Sequence, residues 1–257
     1  MITRRALLGH GAGVAALAAG RAWGAAPMDP LQSVAWEDMR ALLLGKGPVV
    51  FDDRIAVAAP TAAEDALQVP FLVDAGGLGR VQRILVFADL NPIPLILDFA
   101  PGRLAPLIAT RFKIQQATPL RAAALDLKGI WHVAGQWVDA MGGGCTTPAL
   151  AHGEADWTAR LGETEARVFD RDGRRRVRLS IRHPMDTGLA AGIPAFFIEK
   201  VMVEDAGGIL LGELATFEPV SENPLLTFEV PAGIGGDITV TARDNNGNIF
   251  RRKVALS

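Results

Sequence analysis

The amino-acid sequence predicts an all-β protein, two sandwich domains in series behind one short N-terminal helix. Three observations carry this. The chain has 28 Gly and 16 Pro among 257 residues, a turn-rich composition that favours many short strands over helices. Two separate stretches show strand patterning. In the first, Ile108, Thr110, Phe112 and Ile114 alternate with Ala109, Arg111, Lys113 and Gln115, the period-2 signature of a half-buried strand. In the second, Val177, Leu179 and Ile181 alternate with Arg176, Arg178, Ser180 and Arg182.

Taken in order, the chain begins with a segment set apart from the fold. Thr3-Arg4-Arg5-Ala6-Leu7-Leu8 places an arginine pair before an Ala/Gly-rich apolar run, and small residues around Gly24-Ala25-Ala26 offer a cleavage site. This is the pattern of an export signal over residues 1–26. The arginine pair resembles a twin-arginine signal. The run is too short and too weakly apolar to span a membrane. Export places the mature chain in the bacterial periplasm.

Residues 34–44 read as a short amphipathic helix. Trp36, Met39 and Leu43 form its apolar stripe, Ser33 is its N-cap, and Glu37 and Asp38 sit where the helix dipole favours acids. Strands follow over 49–58, 67–73, 82–88, 93–99, 107–115, 120–125 and 130–138, separated by turn signals such as Asn91-Pro92, Pro101-Gly102 and Lys128-Gly129. Strands at this spacing fit an immunoglobulin-like sandwich over residues 27–145. Residues 146–172 read as a linker. A second strand series, about 176–182, 196–203, 209–217, 225–230, 237–242 and 249–255, makes a smaller sandwich over residues 173–257. Its hairpin turns are Asp205-Ala206-Gly207-Gly208 and Asn245-Asn246-Gly247. One large sandwich holding all the strands is the alternative.

Hydrophobic residues make up 49 % of the chain, enough for a sizeable core, and the net charge of −2 gives no reason to expect a nucleic-acid partner. Tyr is absent and Cys occurs once. A single thiol in an exported chain cannot close an internal disulfide, so it pairs between chains, is buried, or reacts. It lies in Met141-Gly142-Gly143-Gly144-Cys145-Thr146-Thr147-Pro148. Three glycines resist both helix and strand, so Cys145 reads as an exposed, reactive thiol on a flexible arm of Gly142, Gly143, Gly144 and Thr146. A nucleophilic pair with His152 is the lesser reading, because such a loop cannot hold the geometry a pair needs. His183-Pro184-Met185-Asp186-Thr187-Gly188 reads as a strand-end turn rather than half of a copper site. Asp52-Asp53 reads as solvated charge and Arg174-Arg175-Arg176 as a solvated strand start or docking patch. No metal site, cofactor fingerprint or self-sufficient catalytic motif is visible.

The first half resembles SoxY of the sulfur-oxidation system. The matching segments are Val69-Pro70, Leu90-Asn91-Pro92-Ile93-Pro94, Thr110-Arg111-Phe112-Lys113-Ile114-Gln115 and Gly142-Gly143-Gly144-Cys145. The second half resembles SoxZ through Arg182-His183-Pro184-Met185-Asp186-Thr187-Gly188, Ile193-Pro194-Ala195-Phe196-Phe197-Ile198, Ser221-Glu222-Asn223-Pro224 and Asp244-Asn245-Asn246-Gly247. The order is similar to fused SoxYZ-type carriers associated with quinoprotein dehydrogenases.

The resemblance implies two immunoglobulin-like domains that dock on each other, and a carrier that is not itself an enzyme. It implies that Cys145 bears a sulfur-containing intermediate for partner enzymes, either sulfur-oxidation enzymes or a quinoprotein dehydrogenase and cytochrome c. No cofactor and no membrane partner are expected. In SoxY the arm ends the chain as Gly-Gly-Cys-Gly-Gly; here Thr146 follows the cysteine and the chain runs on. A non-catalytic assembly module for such a dehydrogenase, with Cys145 incidental, is the alternative function.

Overall fold

A computed structural model describes residues 28–153 and 155–256; the export signal read over 1–26 lies outside them. Among the described residues fifteen strands build two layers. The first half supplies β1 (Val49–Phe51), β2 (Ala56–Ala58), β3 (Val69–Asp74), β4 (Val81–Ala88), β5 (Leu95–Ala100), β6 (Leu107–Phe112), β7 (Thr118–Asp126) and β8 (Trp131–Val138). The second supplies β9 (Thr164–Arg171), β10 (Arg174–Ile181), β11 (Ile198–Asp205), β12 (Leu210–Thr216), β13 (Leu225–Val230), β14 (Asp237–Asp244) and β15 (Ile249–Ala255).

Both halves contribute strands to both layers, and the two halves share each sheet. The nine-stranded sheet runs β1-β8-β7-β4-β5-β12-β11-β14-β15 and the six-stranded sheet runs β2-β3-β6-β13-β10-β9. The seam lies at β5–β12, where Leu214 faces Phe99, and at β6–β13, where Phe228 faces Ile108. One buried apolar cluster crosses it, from Val69, Ile84, Phe99 and Phe112 to Val177, Leu179, Val201 and Phe228. The two predicted sandwiches are therefore joined edge to edge over a common core. Burying side chains of this size on both sides of the seam contributes about 1.5–3 kcal/mol each.

The single strand read over 49–58 is β1 and β2, in different sheets, and two further local expectations are corrected. The helix is shorter than expected: α1 spans Trp36–Met39 and passes into a π-helical turn, Arg40–Leu44. Its N-cap is Ala35, without a side-chain cap. Ser33 instead continues a turn set by Asp29, whose carboxylate accepts from the Leu31 and Ser33 N–H groups at 3.1 and 2.8 Å. The helix lies on the outer face of the larger sheet, where Trp36 and Leu44 pack with Leu85, Phe87, Trp131 and Val133. The other correction is β9. It occupies the end of the stretch read as linker and pairs antiparallel with β10 along its whole length.

Two charged motifs also find partners. Arg174 and Arg176 both donate to Glu229, and Arg175 to the Leu256 carbonyl and Asp170, so this run stitches β10 to its neighbours. Asp52 accepts from Arg54 at 2.5 Å and lies 2.7 Å from His132 Nδ1. The guanidinium holds the Asp52 carboxyl well below the usual carboxylate range. Among the described residues no three metal-ligating side chains gather.

Candidate functional site

The glycine-rich arm leaves β8 and crosses the seam, and its backbone is fastened at each step. Gly143 N–H donates to the Gln115 carbonyl at 3.3 Å, Gly144 N–H to the Ile114 carbonyl at 2.9 Å and Cys145 N–H to Gln115 Oε1 at 3.1 Å. Gly142 and Gly143 have φ of 96° and 94°, which glycine adopts without strain. Gly144 is required for another reason. A Cβ there would sit 2.1 Å from the Ala66 carbonyl oxygen and 2.6 Å from that of Ile114. The hydroxyls of Thr146 and Thr147 both donate back to the Gly143 carbonyl, at 3.4 and 2.7 Å, so residues 143–147 form a compact turn.

This arrangement buries Cys145 completely, at 0 % exposure, which overturns the expectation of an exposed thiol. Local propensity suggested a free loop. The partners that seat the arm come from distant residues instead. Sγ lies 3.5 Å from the Lys113 carbonyl, as donor, and the Cys145 carbonyl accepts from Thr187 Oγ1 at 2.6 Å.

The second half supplies a cradle through residues 183–187. His183 is buried, with Nδ1 accepting from Met185 N–H at 3.1 Å. This fixes the proton on Nε2, 3.5 Å from Asp244 Oδ2. Burial pushes the imidazole pKa down to about 4, so the ring is neutral near pH 7. Met185 adopts φ of 53°, a left-handed conformation rare for a long side chain. Its carbonyl accepts from the Lys113 ammonium. Asp186 is bridged to Phe196 through its backbone, and its carboxylate receives Ala149 N–H at 3.3 Å and His152 Nε2 at 2.8 Å. His152 is thus engaged by Asp186 and stacks edge-on with Trp157. Within the segment read as a strand-end turn, Met185 Sδ accepts from Ile198 N–H at 3.3 Å.

Lys113 joins the two halves. The alternation placed it on the outer face of a strand, but β6 ends at Phe112, and Lys113 is only 2 % exposed. Burial lowers its ammonium pKa, opposed by the nearby charges of Asp186 and Glu222. Asn91, from Leu90-Asn91-Pro92, fixes this backbone. It donates to the Lys113 carbonyl and accepts from Gln115 N–H, both at 2.9 Å. Neither Lys113 nor Asn91 was singled out as a site residue from the sequence, although both lie in the segments that carry the SoxY resemblance.

The seated thiol is unreactive as it stands. Burial pushes its pKa up to about 11, against the pull of Lys113. The seated arm therefore holds its proton more tightly than a released one, whose thiol titrates near an ordinary pKa of about 8.5. Between these values seating weakens as pH rises. The rate of alkylation by iodoacetamide is expected to keep climbing above about pH 9.5 instead of levelling near 8.5. A plateau near 8.5 would show that the thiol is already solvated.

Two family models match the chain in tandem. Residues 39–145 match the family model of the sulfur oxidation protein SoxY, and residues 166–255 match that of the sulphur oxidation protein SoxZ. The chain is a SoxY domain followed by a SoxZ domain. The SoxY match ends on Cys145 itself. Among solved structures, the sulfur carrier protein SoxY from Chlorobium limicola f thiosulfatophilum is 22 % identical. The alignment covers 42 % of this chain and 96 % of that one, with a TM-score of 0.38. The hypothetical protein PH1083 from Pyrococcus horikoshii OT3 is 16 % identical over 37 % of this chain and 87 % of that one, with a TM-score of 0.26. No match was found among proteins of curated function. In domain terms, the SoxY domain provides the arm, Lys113 and Gln115, and the SoxZ domain provides the Met185–Asp186–Thr187 backbone that receives them.

Proposed function

We propose that this protein is a periplasmic covalent carrier, exported by the twin-arginine route, that holds sulfur-containing intermediates on Cys145 and presents them to partner enzymes. It is acted upon and does not itself catalyse. The tandem of a SoxY and a SoxZ domain carries the reading. It is supported by the arm, whose single thiol is placed by residues of both domains. Sulfur-oxidation enzymes are the first class of partner, and a quinoprotein dehydrogenase with cytochrome c is the second.

The test is intact mass after exposing the reduced mature protein to tetrathionate at alkaline pH. The Cys145 thiolate attacks an inner sulfur, a new S–S bond forms, the central S–S bond breaks and thiosulfate leaves with the electron pair. The chain is expected to gain one S2O3 group, and Cys145→Ser none. A second reading, a non-catalytic assembly module with Cys145 incidental, draws on the complete burial of the thiol. It predicts no adduct under any condition, with Cys145 closed to iodoacetamide as well.

A further inference from the structure

We propose that residues 185–187 of the SoxZ domain form a latch that stows the bare Cys145 arm, and that a sulfur group attached to the thiol expels the arm from it. The inference rests on the carrier reading. It follows from a conflict of geometry with function: a thiol that must meet partner enzymes has no exposed surface.

The latch is rigid and the arm is built to leave it. Asp186 is tied to Phe196 by reciprocal backbone hydrogen bonds of 2.7 and 3.1 Å. The Met185 carbonyl is held by Lys113. From this fixed segment Thr187 grips the Cys145 carbonyl, and Asp186 grips Ala149 just beyond the arm. On the arm side, the turn over 143–147 is closed by its own threonines and can move as a unit. Its hinge, Gly142 and Gly143, has open space at Gly143, and the preceding Met141 is fully exposed. Release therefore breaks a few hydrogen bonds and leaves the sandwich core intact.

The bare and loaded forms differ in two contacts. The bare thiol donates its proton to the Lys113 carbonyl; a cysteine sulfur bonded to another sulfur has no proton to give. The attached atom also needs about 2.05 Å of extra reach, in a seat where Sγ has no accessible surface and backbone carbonyls already crowd Gly144. A group that binds one state better than another shifts the balance between them, and here cargo disfavours the stowed state. Bare arms are withdrawn and loaded arms are offered.

Two measurements on the full mature chain test this. In the first, labelling of Cys145 by iodoacetamide is followed in the wild type, Thr187→Val and Thr187→Ser. Removing one hydrogen bond to the arm is expected to speed labelling about ten-fold in Thr187→Val, while Thr187→Ser, which keeps the hydroxyl, stays near the wild-type rate. In the second, methyl methanethiosulfonate loads the wild type without an oxidant. The Cys145 thiolate attacks its sulfenyl sulfur, an S–S bond forms and methanesulfinate leaves. Amide exchange at Gly143, Gly144 and Cys145 is then expected to rise at least ten-fold over the bare chain. Equal exchange in bare and loaded chains overturns the proposal, as does wild-type labelling at the rate of a free cysteine peptide. Methanethiosulfonate reports on the latch whatever the natural cargo. A missing tetrathionate adduct with both latch results as expected would count against the carrier alone.

Discussion

Arg121→Ala is expected to lower the unfolding free energy by about 3–5 kcal/mol, the usual cost of removing one partner from a buried ion network. Arg121 lies mid-way along β7 and is 1 % exposed. Its Nε donates to both Asp89 oxygens at 3.0 and 2.9 Å, and its two terminal nitrogens hold Asp29 at 2.8 and 2.7 Å. Its guanidinium also stacks 4.5 Å from the Trp36 ring centre. Truncation strands two carboxylates that have little access to water and unfastens the segment leading into α1. Burial already holds the Asp89 carboxyl above its ordinary pKa, even with Arg121 in place. Without the cation Asp89 protonates to escape the penalty, so the loss should be smaller in acid than at neutral pH. Urea denaturation of wild type and variant at two pH values measures both effects. A loss under about 1 kcal/mol would mean that water reaches this network.

Gly144→Ala is expected to unseat the arm. The new methyl would meet two backbone oxygens at 2.1 and 2.6 Å. Neither can withdraw easily, because the Ala66 carbonyl accepts from Ile114 N–H at 2.8 Å and the Ile114 carbonyl accepts from Gly144 itself. Overpacking of this kind costs about 1–3 kcal/mol where it cannot be relieved. Here it is relieved by the arm swinging out, so the melting temperature should change little while Cys145 labels at close to the rate of a free thiol. Gly143→Ala serves as the contrast: its Cβ meets nothing within 4 Å, although its φ of 94° adds strain. Slow labelling in Gly144→Ala would show that the arm is seated some other way.

How much of this was legible in the sequence depended on how far each signal reaches along the chain. The strands were legible because alternation is local. Residues 225–230 and 249–255 match β13 and β15 residue for residue. The turn at Asn245-Asn246-Gly247 was legible because Gly247 takes the positive φ, 88°, that its position demands. β9 was not, because it is an edge strand whose outward positions are mostly charged and whose inward residues Ala166 and Val168 are only half-buried. The joining of the sheets was not, because nothing local pairs Phe99 with Leu214, 115 residues further along the chain. The site split in the same way. Cys145 and its glycines stood out by composition. Their seat depends on Gln115, Lys113 and Thr187, about 30 to 42 residues away in sequence, and period-2 patterning put Lys113 on the wrong face because the strand stops one residue earlier.

The shared sheets also bear on how the molecule avoids its own kind. Strand edges are templates for pairing with another copy, and proteins blunt them with short strands and charge. Among the described residues, joining the halves at β5–β12 and β6–β13 leaves β1, β15, β2 and β9 as outer strands. β1 and β2 are three residues each. β15 carries Arg251, Arg252 and Lys253, and β9 carries Glu165, Arg167, Asp170 and Arg171. Edges that would be long and apolar in two separate sandwiches, at Leu95–Ala100 and Leu225–Val230, are consumed in the seam. The chain is thereby protected from fibrillar self-association by its topology and not only by its surface charge.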